Sequence, residues 1–339
     1  VTCPEAPSVP TNVNASVADL NAVTVSWTAA SAPAGCSVTY SVIRAGQTIA
    51  TGLTAASYTD TTAAARAGYT YTVVAVDEFG SSAPSAKADM SCTTNAVLGL
   101  SPYLLENNSY NNSDPGHAHQ STDFNMCSSI SDGADGSVNA QWAWDWPDAS
   151  DNKVRATPTI VYGFKPWNSD STTPNLPAQV SDVGSLTVDA DVAQVVGKGS
   201  DSTLGVFAYL TDSDRKAEGA NNLTIKGRLF IFMNAYGSTF GPPTTDPISI
   251  GGRLWDRQFS SGLENGVMIY NLNYTPHQDA SVPVSSLHLD VASFLSDALS
   301  SDLIPTDLWL ASVETVNLIW QGAGSTTLTN YKVQFQAKQ

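Results

Sequence analysis

Short runs of alternating apolar and polar residues, each cut off by turn-forming residues, constrain this chain more than any other feature. "TNVNASV" (11–17), "AVTVSWTAA" (22–30), "VTYSVIRAG" (38–46), "SYTDTT" (57–62), "YTYTVVAVDEFG" (69–80) and "SSAPSAKADMSC" (81–92) follow one another with Asn, Gly, Pro and Ala-Gly breaks between them. A period of two, enriched in β-branched and aromatic residues, is the signature of half-buried strands. The pattern resumes from about residue 96 to the end, after the short linker "TTNAVLGLSP" (93–102). One stretch breaks it. "VASFLSDALSSD" (291–302) places Val291, Phe294, Leu295 and Leu299 at helical spacing. The expected fold class is all-β: a β-sandwich over residues 1–95, then a β-jelly roll with one helix over residues 96–339.

Composition narrows the partners. With 339 residues the chain is long enough for two cores, and 42% hydrophobic residues supply them. No run reaches the ~18 apolar residues that span a bilayer, so no membrane partner is expected. Only 14% of residues are charged, and the net charge is −16 with a pI near 4.3. A surface this acidic repels phosphates, which excludes nucleic acid as a partner, and it disfavours anionic polysaccharides. A neutral ligand is not disfavoured.

The first residues, "VTCPEAP", read as the start of a mature, secreted chain. The four cysteines, Cys3, Cys36, Cys92 and Cys127, suit an oxidising compartment and fit no zinc motif. His117 and His119 in "GHAH" have the spacing of a copper or zinc pair, but no further Cys or His lies near in sequence. "SDGADG" (131–136) and "TDSD" (211–214) lack the spacing of a calcium loop and read as turns. No metal and no cofactor are expected, and the chain is expected to be a monomer.

The first segment resembles a fibronectin type III domain. The likeness rests on "PTNVNAS", on Trp27 in the second strand, and on the "GYTYTVVAVDEFGSSAPS" hairpin, with Trp27 and Tyr71 as core aromatics. In that topology Cys3 and Cys36 meet at one pole, and Cys92 at the other is free to reach Cys127.

The second segment resembles glycoside hydrolase family 12, a jelly-roll family of endoglucanases and xyloglucanases. Seven segments occur in the family's order: "ENNSYN" (106–111), "WAWDWPD" with "VRATPTIVYG", "GVFAYLTD" (205–212), "RLFIFMNAYG", "GGRLWDRQFSSGLENGVMIYNLNY" (251–274), the helix, and "LASVETVNLIWQGAG" (310–324). The family's chemistry uses a carboxylate nucleophile and a carboxylic acid about 5–5.5 Å apart. A third carboxylate tunes the nucleophile. The resemblance puts these roles on Arg228, Leu318 and Leu210. An arginine cannot attack and a leucine cannot carry a proton, so no catalytic residue is expected by the family mechanism. The alternative is a relocated pair, Glu314 and Asp212.

Sugars stack their C–H faces on aromatic rings and offer hydroxyls to polar side chains. The residues that suit this in a concave groove are Tyr110, Trp146, Arg228, Phe230, Phe232, Asn234, Glu314 and Trp320. Arg228 has a second reading as half of an ion pair with Asp212 or Glu314. Trp142 and Trp144 point the same way as Trp146 and are either platform or core. The expected function is a secreted carbohydrate-binding protein, a non-hydrolytic relative of the family 12 enzymes that holds a polysaccharide, most simply a β-glucan. The alternatives are an active glycosidase or lyase and an adhesive scaffold whose groove is vestigial.

Overall fold

The computed structural model describes residues 3–19, 22–63, 68–91, 97–109, 125–146, 154–165, 170–197, 200–214, 225–236, 246–277 and 284–338. In the first segment the strands are β1 (Thr11–Asp19), β2 (Ala22–Thr28), β3 (Thr39–Arg44), β4 (Gln47–Leu53), β5 (Ser57–Asp60), β6 (Gly68–Val76) and β7 (Ala88–Ser91). They form two antiparallel sheets, β1-β2-β5 and β4-β3-β6-β7. The alternating residues Val13, Ala15, Val23, Val25, Trp27, Val42, Tyr71 and Val73 fill the space between them. Trp27 and Tyr71 are core aromatics, as expected. The sequence pattern missed β4. Its residues "QTIATGL" are mostly exposed on both sides and carry no apolar alternation.

Inside this core one carboxylate is paired. Asp60 is fully buried and accepts hydrogen bonds from Arg44, Thr62 and Tyr71. Burial pushes its pKa up, but the bonds from Thr62, Tyr71 and Arg44 outweigh burial and hold it below the ordinary value. The Cys3–Cys36 disulfide forms as expected. Cys127 is also disulfide-bonded, while its expected partner Cys92 lies outside the described residues.

The second segment continues with β8 (Val97–Leu100), β9 (Tyr103–Ser109), β10 (Asn125–Asp132), β11 (Val138–Trp146), β12 (Ala156–Gly163), β13 (Ala178–Gln179), β14 (Val183–Val196), β15 (Asp201–Thr211) and β16 (Ile225–Tyr236). After these come β17 (Ile248–Ile250), β18 (Arg253–Glu264), β19 (Val267–Pro276), β20 (Ser286–Asp290), α1 (Val291–Ser300) and β21 (Trp309–Ala337). The expected linker is half strand, because β8 pairs with β9. The helix falls where its spacing predicts, capped by Asp290, whose side chain accepts from the Ala292 amide.

The jelly roll has two layers. One contains β10, β11, the second half of β21, β14 and β20. The other runs β8, β9, β12, the first half of β21, β15, β16, β19, β18, β17. The 29-residue β21 therefore serves both layers. It passes from one to the other near Gly322, whose φ of +78° favours glycine. Trp142, Trp144, Leu204, Val206, Leu229, Ile231, Val313 and Ile319 pack between the layers. Trp142 and Trp144 are thus core, and Trp142 Nε1 donates to Asn317 Oδ1 at 2.7 Å. Phe294 of α1 meets Trp255 and Tyr274 edge-on, and Asp297 accepts from Arg257 and Tyr274.

The two segments are joined by more than the chain. β7 pairs with β10, with Met90 opposite Ser129 and Ala88 opposite Ser131. Cys127 of β10 packs into the first segment's core, and Ser131 Oγ lies 3.4 Å from Asn14 Oδ1.

Candidate functional site

The second sheet has a core face and an open face, and strand alternation assigns each residue to one of them. Level with one another across β16, β15 and β21 stand Arg228, Tyr209 and Ser312; then Phe230, Phe207 and Glu314; then Phe232, Gly205 and Val316. This open face carries a cleft of about 200 Å³ lined by apolar and aromatic side chains, with Thr157, Thr159, Lys165 and Glu314 among them. Phe207 and Phe230 stack with centroids 4.2 Å apart, and Phe207 meets Phe232 edge-on at 5.5 Å. Val316 and Leu318 pack against the same cluster. Gly205 leaves room for it, since a Cβ there would come within 2.8 Å of the Phe207 ring.

The polar part of the cleft is a buried triad. Lys165 Nζ donates to Glu106 Oε2 at 2.6 Å and pairs with Glu314 Oε2 at 3.2 Å. Ser312 Oγ donates to Glu314 Oε1 at 3.0 Å. Glu106 comes from β9 and Glu314 from β21. Lys165 arrives two residues after the end of β12. The turn that brings it there is Gly163, with φ +110° and so little room that a Cβ would meet the Ala311 carbonyl oxygen at 2.6 Å. Burial disfavours the Lys165 ammonium, but Glu314 and Glu106 outweigh it and raise its pKa. Glu314 is pushed above the ordinary carboxylate value, chiefly by burial, with Glu106 adding and Lys165 opposing.

The three positions carried over from the resemblance do not meet. Leu210 is fully buried in the core on the face opposite Arg228. Leu318 stands level with Thr203, six residues along β21 from the level of Arg228. That is about 20 Å at the strand rise. The relocated pair Glu314 and Asp212 fails in the same way. Glu314 is level with Phe207, and Asp212 lies five residues farther on, past the end of β15, about 17 Å away. Asp212 is exposed and 3.8 Å from Lys226. A different acidic pair is close together, although no catalytic residue is expected by the family mechanism. Glu106 and Glu314 share one ammonium, so their oxygens lie within about 6 Å, near the glycosidase spacing.

Of the expected sugar-binding residues, the structure brings Arg228, Phe230, Phe232 and Glu314 to the open face. Trp320 continues the row of Glu314, Val316 and Leu318 and is half-buried. Arg228 forms an ion pair, but with Glu264 rather than Asp212 or Glu314. Its two terminal nitrogens reach the two Glu264 oxygens at 2.9 and 3.0 Å, and one also donates to Asn271 Oδ1. Asn234 does not face the cleft. A bulge opposite Leu204 and Gly205 turns it inward, where it is fully buried between the Leu204 amide and Gln194. Tyr110, His117, His119 and the side chain of Trp146 lie outside the described residues. Sequence reasoning missed Glu106, Lys165, Phe207 and Tyr209. The first two had one signal, a lone charge at the end of an apolar run in "YLLE" and "YGFK".

Among the described residues only Cys3, Cys36 and Asp77 cluster their ligating atoms closely enough for a metal. The two sulfurs are bonded to each other, so this set lacks the thiolates a metal would need.

No family model and no curated protein matches the sequence. Solved structures match the fold. A family 12 xyloglucanase from Bacillus licheniformis, solved with a ligand, superposes with a TM-score of 0.59 at 18% identity, over 73% of this chain and 99% of that one. A metagenome-derived glycoside hydrolase family 12 endoglucanase gives 0.56 at 18% over 74% and 99%. An endoglucanase from Rhodothermus marinus gives 0.54 at 17% over 74% and 99%. At these identities the likeness is one of fold. Among the described residues no helix is long and apolar enough to cross a membrane.

Proposed function

We propose that this chain is a secreted polysaccharide-binding protein, and that its cleft holds a glycan, most simply a β-glucan, without cutting it. The observation that carries this is the makeup of the open face. Phe207, Phe230 and Tyr209 line the cleft with aromatic surface, Phe232 packs against the first two, and the nearby carboxylates are clamped by Lys165. A retaining glycosidase places the anomeric carbon between its two carboxylates. Here an ammonium fills that gap. The fold neighbours are endoglucanases and xyloglucanases, which supports a β-glucan as the first ligand to try. On this reading residues 1–95 are a fibronectin type III-like domain and residues 96–339 the ligand-binding domain, and the protein acts as a monomer. Affinity electrophoresis against a panel of glucans tests it. Retarded mobility in at least one glucan is expected, and no retardation in any would overturn it.

One observation favours a second reading, an active glycosidase. Glu106 and Glu314 are close enough to act together, and the raised pKa of Glu314 suits a proton donor. Release of reducing ends from a glucan, abolished in Glu314→Gln, would select this reading over binding alone.

A further inference from the structure

Among the described residues, Glu314 is the one carboxylate lining the cleft. An ionised carboxylate offers about four acceptor positions. Ser312 and Lys165 take one on each oxygen, which leaves capacity for hydroxyl donors. Its neighbours define its electrostatics. Lys165 touches it, and Glu106 stands behind Lys165. On the flanking strands it is level with Val161 and Phe207, both apolar. From the other half of β21, the Tyr331 phenol is near enough to feel its charge. The triad thus holds two acids and one base in a site shut off from water, and Glu314 sits where that site opens to the cleft.

We infer that Glu314, steadied by Lys165 and Ser312, is a pH-dependent acceptor for ligand hydroxyls, so that proton uptake by this residue releases the glycan. The inference rests on the binding function proposed above. The ionised carboxylate accepts hydroxyl hydrogen bonds. Once protonated it loses acceptor capacity and becomes a donor, and its ion pair with Lys165 is lost. A neutral glycan has no titrating group of its own, so a pH profile of its binding reports the protein alone.

The test is the dissociation constant of the full chain for cellohexaose and for an uncharged xyloglucan oligosaccharide, measured from pH 4 to pH 9. Affinity is expected to be level at high pH and to fall by up to tenfold per pH unit as pH drops through the titration of Glu314. In Glu314→Gln the affinity should be lower at high pH and flat with pH. Should that variant fail to fold, Ser312→Ala serves instead. It removes a hydrogen bond to the charged form, so the midpoint should move to higher pH. Binding with a flat wild-type profile, or an unchanged profile in both variants, would overturn the inference and leave the binding function standing. No binding of these probes or of any glucan in the panel would overturn both.

Discussion

At the scale of single residues the triad dominates. Lys165 balances two carboxylates in a site that excludes water, so removing it leaves uncompensated buried charge. Lys165→Met should destabilise the protein by about 3–5 kcal/mol near neutral pH, measured by urea unfolding. Part of that loss should be regained in acid, where the two carboxylates take up protons. The sign for Glu314 follows from its raised folded-state pKa. The folded protein holds the proton more tightly than the unfolded chain, so this group favours folding below the unfolded value of 4.5. That contribution is lost as pH rises through the folded value. Asp60 acts in the opposite direction. Its depressed pKa gives stability that is present above the unfolded value of 3.8 and lost as pH falls through the folded one. Within the cleft, Phe230→Ala should weaken glycan binding about tenfold with little change in pH dependence, because stacking carries no proton. Calorimetric titration separates the two effects.

At the scale of elements, position depends on turns and bulges that the alternation pattern does not record. Gly163 turns the chain so that Lys165 reaches the cleft. Gly163→Ala should destabilise by more than about 1 kcal/mol, through φ strain and collision with the Ala311 carbonyl, and a urea melt checks it. The same limit explains what the sequence did and did not reveal. Period-two patterning exposed most strands, helical spacing exposed the helix at 291–300, and the resemblance to a fibronectin type III domain gave the core roles of Trp27 and Tyr71. The patterning missed β4, which buries no alternating row. It placed Phe230, Phe232 and Glu314 on a shared open face, because parity alone decides that. It misplaced Asn234, because the bulge beside Gly205 shifts parity by one residue. It also misjudged the family positions. Matching letters put Leu210 beside the nucleophile, whereas pairing partners put Tyr209 there. Glu106 and Lys165 meet only through the stacking of β9, β12 and β21, a long-range arrangement that no local motif encodes.

At the scale of the whole molecule, the two segments behave as neighbours in one sheet system. β7 covers the edge of β10, and Cys127 sits in the first segment's core. An uncovered β10 would present unpaired backbone groups, a template for aggregation. A chain starting at residue 96 should therefore be less stable and more prone to associate than the full chain. Light scattering and thermal melts of the two side by side would show it, and equal behaviour would argue that the contact is incidental. The long strand Trp309–Ala337 has a further consequence, in the order of synthesis. A ribosome makes it after every strand it pairs with, yet it lies at the middle of both layers. Until it emerges, the two halves of each layer have an open edge where it will lie, so the nascent protein depends on whatever keeps those edges apart in the meantime.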